Sequence, residues 1–134
     1  MSKQTTDKIL MIPPNKYSGW NDEASQDNTF MNKLDYDLKT INKEFYSAVN
    51  ALKNIGINVI LADKNDELFT PDCIFPNNWI STHTNGNAII YPMKYESRRN
   101  EIRFDIINYL MNKNIISNVI DLRYNIKDEY YLEG

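Results

Sequence analysis

The sequence predicts an α/β fold from three neighbouring features. Lys8-Ile9-Leu10-Met11-Ile12 is a short apolar run, a helical stripe extends from Leu34 to Ile55, and Ile57-Asn58-Val59-Ile60-Leu61 is a second apolar run directly behind it. Strand, helix, strand in this order is a βαβ unit with parallel pairing.

The first run is stopped by Pro13-Pro14, which cannot continue a ladder. Asn15 to Asn28 is polar and reads as a loop, anchored to the body by Tyr17 and Trp20. In the helix, Leu34, Leu38, Ile41, Phe45, Val49, Leu52 and Ile55 recur three or four apart, the spacing of one face laid on a sheet. Gly56 then ends it as a left-handed cap. Asp63 to Asp72 is a polar loop. After it, Trp79 to Thr82 and Ala88 to Tyr91 are two strands joined at Asn85-Gly86, a hairpin-forming pair. A second helix is expected from Arg98 to Met111, with Ile102, Ile106, Tyr109 and Leu110 on one face. Strands at Asn118 to Leu122 and Glu129 to Leu132 complete the order. No internal repeat is visible.

The 134 residues are the size of one domain, 1–134, and 42% apolar with 25% charged residues is too apolar for a disordered chain. A net charge of −3 leaves no general positive field, so neither nucleic acid nor an anionic membrane is an expected partner. No stretch approaches the roughly 18 apolar residues of a membrane span. The polar start and single cysteine, Cys73, fit a reducing, cytoplasmic setting. No Cys/His group has metal spacing, the four glycines form no phosphate loop, and no cofactor is implied.

Two polar segments could carry chemistry. Thr70-Pro71-Asp72-Cys73-Ile74-Phe75-Pro76-Asn77-Asn78-Trp79 places a carboxylate and paired amides in a loop feeding a strand, where α/β folds build sites. Spacing alone is as well met by a loop with Asx turns. Ser97-Arg98-Arg99-Asn100-Glu101-Ile102-Arg103 opens the second helix, and arginine is suited to fork onto a carboxylate. Residue types alone favour a solvated helix start, with Glu101 placed against the helix dipole. Cys73 reads as buried filling and His83 as an exposed residue of the hairpin turn, so neither is taken as a nucleophile or base.

Taken together, the motifs resemble one superfamily. Asp72-Cys73-Ile74-Phe75, Asn77-Asn78, Ser97-Arg98-Arg99-x-Glu101 and Leu132-Glu133-Gly134 stand in an order similar to that of the arginine deiminase and dimethylarginine dimethylaminohydrolase superfamily. Phe75-Pro76-Asn77-Asn78-Trp79, Ser81-Thr82-His83 and Tyr91-Pro92-Met93 resemble its amidinotransferase-like, citrulline-utilising hydrolases. Asn21-x-Glu23-Ala24 and Asn28-x-Phe30 are similar to the early loop of that branch, with Met31 where Gln is expected.

The resemblance covers nearly all of this chain and about the first half of a family member. It implies a partial pentein α/β propeller, about two ββαβ-type modules of five, around a central substrate channel. It also implies attack by a cysteine on a guanidino or ureido carbon with a histidine as acid/base, both in the carboxy-terminal half, so that this chain alone would be inactive. Asp72 matches a substrate-binding aspartate and Arg98 an arginine that holds the substrate α-carboxylate. Asn78 stands where relatives place the carboxylate that pairs with guanidinium, and Asn77 where some have glutamate. Glu133 matches the catalytic acidic residue near the reacting carbon. Amides at 77 and 78 suit a neutral ureido group such as citrulline's better than a guanidinium, which needs a compensating charge.

The implied partner is therefore a small guanidino or ureido amino acid. The competing expectation is a non-catalytic binding module, or a gene remnant, that self-associates or pairs with another chain through exposed edges.

Overall fold

In the computed structural model, which describes residues 5–14, 21–26, 37–63, 68–124 and 130–133, the first expected strand forms as β1, Lys8–Met11. Ile12, Pro13 and Pro14 behind it are buried. The part of the early loop that is described, 21–26, holds a one-turn helix, α1, Asp22–Ser25. Tyr17, Trp20, Asn28, Phe30, Met31 and Leu34 lie outside the described residues.

The first long helix is α2, Leu38–Asn54. Asp37 sets its start by accepting from the Lys39 and Thr40 backbone N–H groups, satisfying two of the donors every helix start leaves free. Val49 is the fully buried member of the stripe, with Ile41, Phe45 and Leu52 half-buried. Ile55, expected on the same face, is 76% exposed. The helix ends one residue earlier and the chain turns through Gly56, whose φ of +88° is open to glycine at no steric cost. The turn leads into β2, Asn58–Leu61, which pairs with β1 in parallel, Ile9 opposite Val59. The βαβ unit expected from the sequence is thus formed.

The second module begins with a 3₁₀ turn, Pro76–Asn78, followed by β3, Ile80–Thr82, and β4, Asn87–Ile90, paired antiparallel. Their hairpin contains Gly86 at φ +83°, and a Cβ there would meet the Ser117 Oγ at 2.5 Å. The Gly86 carbonyl accepts from the Ser117 N–H, docking the turn onto the start of β5, Asn118–Asp121. β5 pairs with β4 in parallel, giving the order β3-β4-β5.

Between β4 and β5 the chain departs from expectation. The single helix expected over Arg98 to Met111 is two helices, α3, Glu96–Arg99, and α4, Phe104–Asn112. Arg103, extended at φ −119° and ψ 99°, breaks them. The break rotates the apolar face: Ile106, Ile107 and Leu110 are buried, and Tyr109 is 44% exposed. Arg103 also forks onto Asp105 and donates to the Asp63 carbonyl, fixing α4 against the end of β2. At the other end of the module, Tyr130 to Leu132 are exposed and form no strand. Leu132 donates one backbone hydrogen bond to Pro92, which is too little for a ladder.

Trp79, Ile80, Ala88, Ile90, Met93, Ile106, Ile107, Leu110 and Ile116 form the core, and Leu10 and Ile60 from the first sheet pack onto it. The two modules therefore share one apolar centre. Burying each of its isoleucine, leucine and methionine side chains contributes about 1.5–3 kcal/mol, so the shared core couples the modules in stability.

Candidate functional site

Parallel strands leave their carboxyl ends on one edge, and loops at such ends converge on a site. The chain leaves β1 towards Asn21, β2 towards Asp72, β4 towards Ser97 and Arg98, and β5 towards Glu133. Four of these five meet. Asn21, 1% exposed, caps α1 by accepting from the Glu23 and Ala24 N–H groups through Oδ1. Its Nδ2 donates to the Asp72 Oδ2 at 2.6 Å and to the Ser97 Oγ at 3.4 Å. The Ser97 hydroxyl in turn donates to the Glu23 Oε2 at 2.7 Å.

Asp72 sits in a tight loop closed by Cys73 N–H to Thr70 and Phe75 N–H to Asp72 carbonyls, with Thr70, Pro71 and Cys73 buried around it. Arg98, 6% exposed, places Nη1 3.8 Å from the Asp72 Oδ2, an ion pair rather than a hydrogen bond, and donates from Nε to the Glu101 Oε1 at 2.9 Å. The structure thus brings Asp72 and Arg98 together in the interior.

Glu101 is not the solvated helix-start residue its sequence context suggests. It lies past the end of α3, 2% exposed, with its carboxyl turned onto Arg98. Burial pushes its pKa up to about 8, against the charge and hydrogen bond of Arg98, and Asp72 and Glu133 add to the rise. Glu133 is exposed, and its charge is felt at Glu101. Among the described residues, the Arg98 Nη2 and the Glu101 Oε2 are buried without a hydrogen-bond partner. An orphaned, charged donor of this kind is costly, and it can donate to an anion's oxygen.

Asn77 and Asn78 fall in the 3₁₀ turn, where the Asn77 amide donates to the Asn78 Oδ1 at 2.8 Å. Asn77 is exposed and Asn78 half-buried, and they bond to each other rather than to Arg98 or Asp72. Cys73 is buried. His83 is exposed and shares a hydrogen bond with the Ser81 hydroxyl. A cavity of about 700 Å³ lies elsewhere, between β2 and α4, and none of its lining residues belongs to this polar cluster.

Residues 14–134 match the family model for N,N dimethylarginine dimethylhydrolase, eukaryotic. The chain belongs to this dimethylarginine dimethylhydrolase family. With it the chain joins the wider arginine deiminase, or pentein, superfamily.

Solved structures of this group share the fold. Dimethylarginine dimethylaminohydrolase from Pseudomonas aeruginosa, a cysteine-to-serine mutant complexed with citrulline, superposes with a TM-score of 0.61 at 19% identity, over 85% of this chain and 40% of that one. A dimethylarginine dimethylaminohydrolase adduct with S-methyl-L-thiocitrulline gives 0.60 at 20% identity, over 85% and 41%. ArgZ, an arginine dihydrolase from the ornithine-ammonia cycle in cyanobacteria, gives 0.51 at 16% identity, over 86% and 14%. The chain spans about two fifths of the length of the two dimethylarginine dimethylaminohydrolases. No curated protein matches significantly by sequence.

The sequence reading missed the roles of Asn21, Ser97 and Glu101. Asn21 carried a usable pattern, an Asx residue just before Asp22-Glu23, which is how a capped helix start is written. The inward turn of Glu101 had none, since the local periodicity runs through it unbroken.

Proposed function

We propose that this chain is the substrate-recognition part, a single domain over 1–134, of a hydrolase acting on a guanidino or ureido amino acid. The observation that carries the reading is the buried Arg98, tied to Glu101 and paired with Asp72, with Nη2 left without a hydrogen-bond partner among the described residues. In this reading Arg98 takes the substrate α-carboxylate and Asp72 the groups beside it. Asn77 and Asn78 meet the ureido end, and Glu133 acts near the reacting carbon.

Covalent chemistry on such a carbon needs a thiolate and a proton carrier. The buried position of Cys73 and the exposed hairpin position of His83 suit neither role. The reading therefore assigns the cysteine nucleophile and the histidine to a segment outside these 134 residues, in the remaining modules of a five-bladed propeller to which this chain gives about two. Alone, the chain binds without turnover.

Calorimetric titration of the 134-residue protein with L-citrulline and L-arginine tests the reading. Citrulline should bind at least as tightly as arginine, because the amides at 77 and 78 offer no charge to a guanidinium. Arginine binding about tenfold or more tighter would defeat the ureido assignment.

A second reading, a non-catalytic module that associates with itself or another chain, is favoured by Tyr124, Tyr130, Tyr131 and Leu132, each more than half exposed. Sedimentation distinguishes it: a stable, monodisperse oligomer that binds neither ligand supports the module.

A further inference from the structure

We infer that Glu101 is a positioning residue for Arg98, holding the guanidinium through Nε alone so that Nη2 stays open to the α-carboxylate of a free ureido or guanidino amino acid. The inference rests on the functional reading above and deepens it by naming what orients the arginine.

Three observations carry it. First, the pairing is unlike the other arginine pairs of the same molecule. Arg103 forks onto Asp105 with Nε and Nη2, and Arg123 forks onto Asp121 in the same way. Two parallel bonds are the ordinary arrangement of an arginine and a carboxylate. Arg98 and Glu101, more deeply buried than either, make one bond to each other, and leave Nη2 and Oε2 without a partner among the described residues. Each of those forks engages Nε and Nη2 together, whereas the interior pair engages Nε and withholds the Nη group.

Second, Asp72 does not fill the gap. It approaches Nη1 rather than Nη2, at 3.8 Å, and its Oδ2 is already engaged by Asn21 at 2.6 Å. Among the described residues the guanidinium is thus fixed by Glu101 at one atom, drawn by Asp72 at a second, and unpartnered at the third. Third, the backbone gives up helix to bring Glu101 inside. The chain leaves α3 after Arg99 and resumes at Phe104, and Glu101 lies in that interruption. Interruptions of local regularity are expected at functional or strained sites.

The charge state follows from what faces Glu101: Arg98 from α3, Asp72 from the loop before β3, and Glu133 from the last described segment. With its carboxyl protonated, Glu101 accepts from Nε without neutralising Arg98, whose charge is then shared between Asp72 and the ligand. Once ionised, it competes with the ligand carboxylate for the same guanidinium.

The test is calorimetry on the 134-residue protein with two probes, L-citrulline and N-carbamoylputrescine, which carries the same ureido chain without the carboxylate. Glu101→Ala should weaken L-citrulline about tenfold or more and change N-carbamoylputrescine less than about twofold. Glu101→Gln, whose amide oxygen still accepts from Nε, should hold L-citrulline within about threefold at neutral pH. Across about pH 7 to 9 the wild type should lose L-citrulline affinity relative to Glu101→Gln, a comparison in which the ligand's own ionisation cancels.

Equal weakening of both probes by Glu101→Ala, or weakening of neither, overturns the inference while citrulline binding by the wild type keeps the functional reading. Should Glu101→Ala not fold by circular dichroism, the pH series decides, and parallel wild-type and Glu101→Gln profiles overturn it. A wild-type protein that binds neither probe overturns the functional reading and this inference with it.

Discussion

Replacing Glu101 with glutamine should make the stability of this protein nearly independent of pH across a range where the wild type weakens steadily. The folded protein holds the Glu101 proton up to about pH 8, because burial disfavours the carboxylate, whereas the unfolded chain releases it near 4.5. Between those values the native state binds the extra proton, so stability is fully present below 4.5 and is lost as pH rises through about 8. The slope approaches about 1.4 kcal/mol per pH unit, on the order of 5 kcal/mol over the whole interval as an upper figure. That is comparable to the total stability of a small domain. Glutamine keeps the hydrogen bond to Arg98 and has no proton to lose. Urea denaturation at a series of pH values from about 5 to 9, for both proteins, reads the effect as the difference between two midpoint curves. Curves that run parallel would refute the reasoning, since they would mean that Glu101 ionises in the folded state as it does in the unfolded one.

Three further outcomes are expected. Gly86→Ala should destabilise by about 2 kcal/mol, because alanine must adopt φ +83° and its Cβ would press on the Ser117 Oγ; a urea midpoint unchanged from wild type would contradict this. Asn21→Ala removes both the cap of α1 and the amide donor on Asp72, and should cost about 2 kcal/mol while lowering citrulline affinity, as read by denaturation and calorimetry on the same preparation. Ser97→Ala leaves the Glu23 Oε2 without its hydroxyl donor and should speed hydrogen exchange at the Ala24 and Ser25 amides, with little change in α4.

Much of the architecture was legible because it is local. The spacing of Ile41, Phe45, Val49 and Leu52 specified α2, Asn85-Gly86 specified the hairpin, and the β-branched pair Val119-Ile120 specified β5. Each is written in neighbouring residues whose period or turn chemistry has one common solution. The break between α3 and α4 was not legible. Ile102, Ile106 and Leu110 keep helical spacing across it, and what overrides them is the extended backbone of Arg103, whose side chain is held by Asp105 and the Asp63 carbonyl. The same override moved Tyr109 outward and Ile107 inward.

For the site, motif order picked out Asp72 and Arg98, which the fold brings within 3.8 Å of each other. Residue types by themselves pointed to a solvated helix start. Asn77 and Asn78 closely follow Asp72 in sequence but bond to one another, a local pairing that no reading of spacing distinguishes from a substrate contact.

The most direct measurement is an amide chemical-shift map of the protein titrated with L-citrulline. A binding site at the ends of β1, β2 and β4 predicts saturable shifts concentrated on Asn21, Asp72, Ser97, Arg98 and Glu101, abolished in Arg98→Ala. Shifts confined to the cavity lined by Ile60, Ile106 and Tyr109, or a map that Arg98→Ala leaves unchanged, would contradict it.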